Sequence, residues 1–299
     1  MQTDQQLNDL YERQIRFTSH YTDFENLIEE QDNYEKSLDK FRHLRMLEVC
    51  KVIHNHDKNS SWVTVGDGRF ATDARTLIRF GARAIATDLD DTGLLIAHQA
   101  GFIEHVSKEN AEHLSYESDQ FDYALCKEAY HHFPRPQVAV HELLRVAKKA
   151  VVFIEPNDRQ IPNRPLDGVL FGLGRFVAKM MRRTSGIHNY EAAGNYVYTM
   201  SAAEIEKIAC GIALPECWIG YMDDEYKFEY GGIPYDPNSK VTKDLMRKIA
   251  LKTLMSKMGL KPWGMIRSVL AKEPLPADIA AELTKLGFRK FVPPPNPYV

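Results

Sequence analysis

The sequence predicts an α/β fold: a doubly wound, mostly parallel seven-stranded sheet with helices on both faces. From residue 62 onward, short β-branched runs alternate with amphipathic helical patterns. The first such run ends in a glycine turn, Gly66-Asp67-Gly68, that leads into a helical pattern. Apolar strands that alternate with helices form parallel sheets covered on both faces. A ligand crevice is then expected at the carboxyl ends of the strands, where turn N–H groups facing outward would meet a polar ligand.

A helical N-terminal cap is expected over residues 1–56. Apolar residues such as Leu38 and Leu44 recur there at three- and four-residue spacing, which is typical of amphipathic helices. His54 and His56 follow in a polar stretch without acidic or cysteine neighbours at ligand spacing. We therefore predict a solvated loop there and no metal site.

The segment 57–158 carries the predicted core of the fold. Its expected elements are strand 62–65, helix 72–80, strand 83–88, helix 92–100, a weak strand near 102–106, strand 121–126, helix 136–146 and strand 149–154.

Residues 159–299 are expected to complete the same domain with lid helices, further strands and C-terminal insertions. Ser201 and Glu204 have the spacing of a capping box. The expected elements are helix 166–183, helix 201–210, strand 216–222, helix 240–258, strand 264–271, helix 276–286 and a proline-rich tail.

Composition excludes several classes of protein. The chain of 299 residues is 44% hydrophobic and 26% charged, with a net charge of −3, so nothing predicts a basic nucleic-acid surface. No apolar signal segment or membrane-length run is present, and the four cysteines show no CxxC pairing. We predict a cytoplasmic protein, monomeric or homodimeric, with a small-molecule partner and no nucleic acid or membrane partner.

Polar residues follow successive predicted strands. Asp88 ends the second strand, where a carboxylate is placed to accept both hydroxyls of a ribose. Asn110-Ala111-Glu112 follows the third strand, and Cys126-Lys127 ends the fourth. Taken singly, Asp88 also suits a helix N-cap or a solvated acid, and Asn-Ala-Glu also suits a plain turn.

Together these features resemble the class I S-adenosylmethionine-dependent methyltransferases of small molecules, over roughly residues 60–156. The resemblance implies S-adenosyl-L-methionine as cofactor and S-adenosyl-L-homocysteine as product. It implies that the glycine turn holds the methionine end, Asp88 the ribose and Asn110 the adenine. The cofactor-binding residues expected on this basis are Gly66, Asp67, Gly68, Arg69, Asp88, Leu89, Asn110, Ala111, Glu112, Cys126 and Lys127.

The chain departs from the family pattern at two places. Thr64 stands where the family has an acid, and Phe70 where it often has a third glycine. Asp67 or Glu128 is expected to replace the missing acid. Ala71 completes a Gly-x-Gly-x-x-Ala pattern that nicotinamide dehydrogenases also use, so this oxidoreductase alternative stays open on the glycines alone.

Three residues are candidates for catalysis: His131, His132 and Glu155. The two histidines follow the fourth strand, where the resemblance places the methyl group, and histidine titrates near neutral pH. Glu155 ends the fifth strand and is suited to binding a substrate amine or hydroxyl. Structural alternatives remain, because the histidines also suit packing beneath the cofactor, and Glu155 suits an N-cap or loop position.

The predicted function is methyl transfer to an oxygen or nitrogen atom of a small polar metabolite, for example a sugar or a biosynthetic intermediate. The alternative from another class is a catalytically silent cofactor-binding partner or regulator. Acceptor recognition is assigned to the N-terminal helices, to the segment 157–198 and to the stretch 221–235. That last stretch mixes aromatic and acidic residues, which suits a polar or cationic molecule, a solvated edge or a dimer contact.

Overall fold

The computed structural model describes residues 2–20, 33–158, 190 and 194–298. The helices are α1 (Gln2–His20), α2 (Leu38–Met46), α3 (Glu48–His56), α4 (Thr72–Phe80), α5 (Thr92–Gln99), α6 (Pro136–Val146), α7 (Ala202–Gly211), α8 (Lys240–Lys257) and α9 (Ala277–Lys285). The strands are β1 (Ser61–Val65), β2 (Arg83–Asp88), β3 (Val106–Lys108), β4 (Phe121–Lys127), β5 (Ala147–Pro156), β6 (Glu216–Met222), β7 (Met265–Ala271) and β8 (Arg289–Phe291).

The strands form one mixed sheet in the order β3-β2-β1-β4-β5-β7-β6-β8. Strands β1 to β5 pair in parallel, whereas β7 runs antiparallel to both β5 and β6. The prediction of a mostly parallel, doubly wound sheet with helices is confirmed.

The predicted count of seven strands is wrong for the described chain, because β8 adds an eighth. Gly287 has φ +82° and turns the chain after α9. Phe288 then packs into the core with 4% of its surface exposed. The three residues of β8 pair antiparallel with Cys217–Ile219 of β6. A tripeptide before a proline-rich tail is too short to give a strand pattern in the sequence.

The third strand also lies later than predicted, at Val106–Lys108 instead of near 102–106. Gly101, with φ +73°, ends the helical segment before it. Ile103 is 4% exposed and fills the core, so its apolar character reflects packing and not strand pairing.

The hydrophobic core lies on both faces of the sheet, because successive residues of a strand point to opposite sides. Trp62 and Val152 pack on one face with α3, α4 and α9. Val63 and Val151 pack on the other face with α6 and α7. The central strands are therefore buried on both sides, as the continuous apolar runs predict.

The predicted capping box of α7 is confirmed. The hydroxyl of Ser201 accepts from the backbone N–H of Glu204 at 3.2 Å, and the Glu204 carboxylate accepts from the Ser201 N–H at 2.9 Å. The predicted helix 166–183 lies outside the described residues.

The chain reverses its direction across the sheet between β1 and β4. From β1 it proceeds outward to β2 and β3, and it then returns to β4 on the other side of β1. In open α/β sheets, this reversal opens a crevice at the carboxyl ends of the two central strands. The segments after β1, β2, β3, β4 and β5 all meet there.

Candidate active site

The turns after β1 and β4 lie in direct contact across this crevice. Gly66 has φ +78°, and a Cβ atom built on it would lie 2.3 Å from the Cβ of Ala129. No side chain fits at that distance, so glycine is required both for the backbone conformation and for the close approach.

The backbone N–H groups of the glycine turn are engaged inside the protein. Those of Gly66 and Asp67 both donate to the carbonyl of Thr87 at 3.0 Å. That of Gly68 donates to Oδ2 of Asp88 at 2.8 Å. This corrects the expectation that these groups face outward toward a ligand. The turn is consequently not an anion cradle of the kind that binds pyrophosphate.

Asp67 turns its side chain into the protein. Its carboxylate accepts from the hydroxyl of Thr64 at 2.9 Å and from the N–H groups of Asp73 and Ala74 at 3.1 and 2.8 Å. Burial, with the nearby charge of Asp73, raises the pKa of Asp67 to about 7. The Asp67 side chain therefore binds the first turn of α4. This differs from the expectation that it contacts the cofactor. Thr64, at the position of the missing acid, is part of that arrangement.

Phe70 and Ala71 both adopt left-handed backbone conformations, with φ +61° and +53°. This region costs about 1–2 kcal/mol for a residue with a side chain. Both side chains are buried, at 3% and 0% exposure. Positions 70 and 71 thus carry side chains where the backbone conformation favours glycine. Burial of these two side chains offsets the strain.

Asp88 lies at the carboxyl end of β2, facing the glycine turn. Its Oδ2 accepts from Gly68 N–H, and its Oδ1 accepts from Asp90 N–H at 2.9 Å. Burial raises the pKa of Asp88 to about 6, although the backbone hydrogen bonds act in the opposite direction. A carboxylate offers about four lone-pair positions. Asp88, followed by Leu89, therefore keeps acceptor capacity toward the crevice.

The loop after β3 contains Asn110, Ala111 and Glu112. The amide oxygen of Asn110 accepts from the Glu112 N–H at 2.9 Å and shapes a tight turn, and Ala111 is buried. The Glu112 carboxylate accepts from the backbone N–H and Nε of Arg135 at 2.7 and 2.5 Å, and from the Tyr11 hydroxyl at 2.7 Å. Glu112 is thus committed to protein partners, which differs from its expected role as a cofactor contact.

The end of β4 holds a buried ion-pair network. Lys127 Nζ lies 3.3 Å from Asp73 Oδ1 and 3.4 Å from Glu128 Oε2. Burial acts to lower the pKa of Lys127, but the two carboxylates outweigh it and raise the pKa above its ordinary value. The Lys127 side chain therefore neutralises acids within the protein, in contrast to the expected cofactor contact.

Cys126 is fully buried, with Sγ 3.8 Å from Oε1 of Glu155. Burial and the adjacent carboxylate raise the pKa of this thiol well above its ordinary value, so the thiol stays protonated.

Arg69, in the glycine turn, is exposed.

A buried carboxylate orients the first histidine after β4. Glu155 has no exposed surface, and its Oε2 lies 2.8 Å from Nδ1 of His131. Its Oε1 accepts from the N–H groups of Ala129 and Tyr130 at 2.9 and 3.0 Å. This differs from the expectation that Glu155 binds the substrate directly, because both oxygens serve the 3₁₀ helix Tyr130–His132. The ring of His132 lies beside that of His131, with centroids 4.0 Å apart.

Helix α1 contacts this edge of the sheet, and α2 contacts α4, each through a polar side chain. Gln14 of α1 donates to the carbonyl of His132, and Lys40 of α2 donates to Thr76 of α4 at 2.6 Å. The sequence showed a helical cap but not which of its residues meet the site. Of the residues assigned to acceptor recognition, Arg159, Arg164 and His188 lie outside the described residues.

No group of three or more histidine, cysteine, aspartate or glutamate side chains among the described residues is arranged to hold a metal ion. None of the helices in the described ranges is long and apolar enough to cross a membrane.

The match to a family of known proteins covers β1 to β5 and the segments between them. Residues 63–154 match the family model of a methyltransferase domain. These residues form a class I methyltransferase domain. The predicted resemblance is thereby confirmed for the core, and S-adenosylmethionine is the cofactor of that class. Among curated proteins, none matches the chain by sequence.

Solved methyltransferase structures are similar to the chain at low identity. A methyltransferase from Thermotoga maritima, described as a possible histamine N-methyltransferase, is 16% identical, covers 88% of this chain and 100% of its own, and has a TM-score of 0.49. A methyltransferase from Methanosarcina mazei is 13% identical over 75% of this chain and 98% of its own, with a TM-score of 0.47. Magnesium protoporphyrin IX methyltransferase from Synechocystis, with bound S-adenosylhomocysteine, is 13% identical over 78% of this chain and 84% of its own, with a TM-score of 0.44. At such values, these likenesses define no substrate for this domain.

The crevice of the methyltransferase domain has the features that a nucleoside cofactor without phosphates requires. Asp88 retains acceptor capacity for hydroxyl groups. The glycine turn lies directly beside it, because a Cβ built on Gly68 would lie 2.6 Å from the Asp88 carboxyl carbon. A side chain at position 68 would therefore clash with the Asp88 carboxylate. The turn N–H groups, which a pyrophosphate would need, are already used. The site therefore fits S-adenosylmethionine better than a dinucleotide.

Proposed function

We propose that this domain transfers a methyl group from S-adenosylmethionine to an oxygen or nitrogen atom of a small polar metabolite. The observation that carries the proposal is the pair of His131, in the turn after β4, and the buried Glu155 at the end of β5, whose Oε2 lies 2.8 Å from Nδ1 of His131. A buried carboxylate that orients a histidine is a common way to build a general base. Its place beside the glycine turn supports action on the acceptor of the methyl group.

The cofactor would be held by the turn and loop residues at the carboxyl edge. Asp88 would accept hydrogen bonds from the ribose hydroxyls. Gly66 and Gly68 would line the methionine end, and Leu89 with the backbone of Asn110 and Ala111 would line the adenine. When bound, S-adenosylmethionine supplies an electrophilic methyl group on a sulfonium.

Glu155 would fix the tautomer of His131. An imidazole that donates from Nδ1 to a carboxylate keeps Nε2 as its acceptor nitrogen when neutral. Nε2 would take the proton of an acceptor hydroxyl as its oxygen attacks the methyl group, or remove a proton from an ammonium group beforehand so that the nitrogen has a lone pair for the attack. A positioned general base contributes about 10²–10⁴-fold to such a reaction. The ring of His132, tilted by 43° to that of His131, would restrict the position of the His131 ring.

Substrate positioning accounts for the rest of the rate. Orientation of two reactants contributes up to about 7–11 kcal/mol, and closing the crevice excludes water from the reaction. Gln14 of α1, which donates to the carbonyl of His132, is suited to hold α1 beside the bound reactants. We further propose a cytoplasmic enzyme, monomeric or homodimeric, that acts on a small molecule and not on nucleic acid.

Calorimetry with S-adenosylmethionine tests the cofactor, and methyl transfer from labelled S-adenosylmethionine into a metabolite extract tests catalysis. Binding together with a labelled product is the expected result. Binding without transfer to any acceptor would favour a silent binding partner. Absence of binding at millimolar concentration, with tight binding of NAD instead, would overturn the proposal.

A further inference from the structure

Two buried acceptor atoms lie beyond the histidines, at the carboxyl edge of β5 and β6. Met265, the first residue of β7, pairs with the last residue of each strand, Pro156 and Met222. Asn157 and Asp223 are the residues that follow. They therefore flank the start of β7 from both sides.

The backbone before β7 holds both side chains in place. Asn157 donates from Nδ2 to the carbonyl of Trp263 at 3.1 Å, and its own N–H donates to the Gly264 carbonyl at 3.0 Å. The Gly264 N–H donates to Oδ1 of Asp223 at 3.1 Å, and Lys261 Nζ donates to the same oxygen at 2.5 Å.

One oxygen of each side chain has no donor among the described residues: Oδ1 of Asn157 and Oδ2 of Asp223. Both residues are only 2% exposed. A buried acceptor without a hydrogen bond costs about 1–3 kcal/mol. Two such atoms, one on either side of the start of β7, indicate a place for donor groups of a ligand.

Both side chains lie on the same face of the sheet as His131. Alternation along β5 places Asn157 on the side of Glu155, the partner of His131. In β6 the same alternation places Asp223 on the side of Ile219, which packs in the same core cluster as Phe153 of β5.

The segment 198–200 connects Asn157 to the catalytic histidine. The Tyr198 N–H donates to the His131 carbonyl at 3.1 Å, and the Met200 N–H donates to the Pro156 carbonyl at 3.2 Å. Two residues of extended chain span about 7 Å. Two aromatic residues precede Asp223 and Gly264 closely in the chain. The rings of Tyr221 and Trp263 lie nearly parallel, with centroids 6.1 Å apart and an angle of 16°, and we call this pair the Tyr221–Trp263 wall.

We infer that Asn157 Oδ1 and Asp223 Oδ2 bind hydroxyl or amine donors of the methyl acceptor, which is therefore a polyol or an amine and not a carboxylate or phosphate. The inference rests on the proposed methyl transfer. Both atoms only accept hydrogen bonds, so an anionic group would find no donor from them. The Tyr221–Trp263 wall suits the apolar face of a sugar ring or an organic cation.

Asp223→Asn is the sharpest variant. Asparagine keeps an oxygen for Lys261 and Gly264, but it places an NH₂ donor where Oδ2 stands. Methyl transfer to donor-bearing acceptors should then fall about 10- to 100-fold in kcat/KM, while the Kd for S-adenosylmethionine stays unchanged. Asn157→Leu removes the second acceptor at similar volume and should have a comparable effect. Asp236→Asn, in an exposed loop, is the matched control.

The test uses labelled S-adenosylmethionine with three sets of acceptors: primary amines, polyols, and carboxylates or phosphate monoesters. Transfer confined to amines or polyols and lost in Asp223→Asn supports the inference, and the set that reacts identifies which donor is recognised. Transfer to anionic acceptors, or an unchanged rate in both variants, overturns it. Failure of the wild-type protein to bind S-adenosylmethionine, or binding without transfer to any set, would instead count against the proposed function.

Discussion

The carboxylate of Glu155 lies 2.8 Å from Nδ1 of His131 while its other oxygen accepts two backbone N–H groups of the same turn. One buried side chain thereby fixes the position of the histidine ring and of the backbone that carries it. In the proposed reaction Glu155 is a positioning residue, and His131 is the group that would meet the acceptor.

Replacement of the base should separate chemistry from binding. We expect His131→Ala to lower kcat about 10²- to 10⁴-fold with little change in the Kd for S-adenosylmethionine. Glu155→Gln should lower kcat because an amide NH₂ facing Nδ1 favours the wrong tautomer. Single-turnover methyl transfer measures the effect, with the exposed His141→Ala as control. Full turnover in His131→Ala would exclude it as the base.

Cofactor affinity should depend on the ionisation of Asp88. Its pKa of about 6 lies above the ordinary value because the side chain is buried, so the group gains a proton as the pH falls through 6. If the ribose binds the ionised form, affinity for S-adenosylmethionine should fall about tenfold from pH 7 to pH 5. Calorimetry at several pH values measures this. Asp88→Asn should bind weakly at all pH values and lose the dependence; a flat wild-type profile would contradict the assignment.

Loss of the buried Lys127 cation should destabilise the fold. Lys127→Met leaves the carboxylates of Asp73 and Glu128 without their partner, and removal of one member of a buried ion pair costs about 3–5 kcal/mol. Urea unfolding measures the free energy of unfolding. The exposed Lys148→Met is the control and should change it by less than about 0.5 kcal/mol. A loss of similar size in both variants would contradict the network.

A glycine after α7 should stabilise the protein. Ala213 is exposed and has φ +52°, and its N–H donates to the Cys210 carbonyl at 3.3 Å. Ala213 is the residue after the C-cap of α7, and it has the left-handed backbone conformation for which glycine is preferred at helix ends. Ala213→Gly should raise the free energy of unfolding by about 0.5–1 kcal/mol. The same exchange at the exposed Ala250, inside α8, should lower it by about 1 kcal/mol.

The sequence predicts the frame of the fold well because its signals are local. The periodicity of residues 72–80 matches α4, and the pair Ser201 and Glu204 marks the start of α7. Apolar runs between them identify the strands that are buried on both faces. The short β8 has no such signal, because its pairing depends on where Phe288 finds space beside β6.

Side-chain direction at the site could not be predicted in the same way. Asp67 and Glu112 are polar residues in turns at the crevice, as the sequence indicated, yet their carboxylates bind protein groups from α4, α1 and the start of α6. Those partners are distant in the chain. The role of Asp73 as the ion-pair partner of Lys127 was likewise not predicted. Its position in the first turn of α4, where acidic side chains are favoured, was the available signal.

The contact between Gly66 and Ala129 has a consequence for attempts to alter this enzyme. The turn that would seat the cofactor and the turn that carries the histidine share one van der Waals contact with no spare space. A larger residue at position 66 would push Ala129, and His131 lies only two residues beyond it. A substitution at Gly66 that is meant to change which methyl donor binds would therefore also shift the proposed base, His131. The two turns have to be redesigned together.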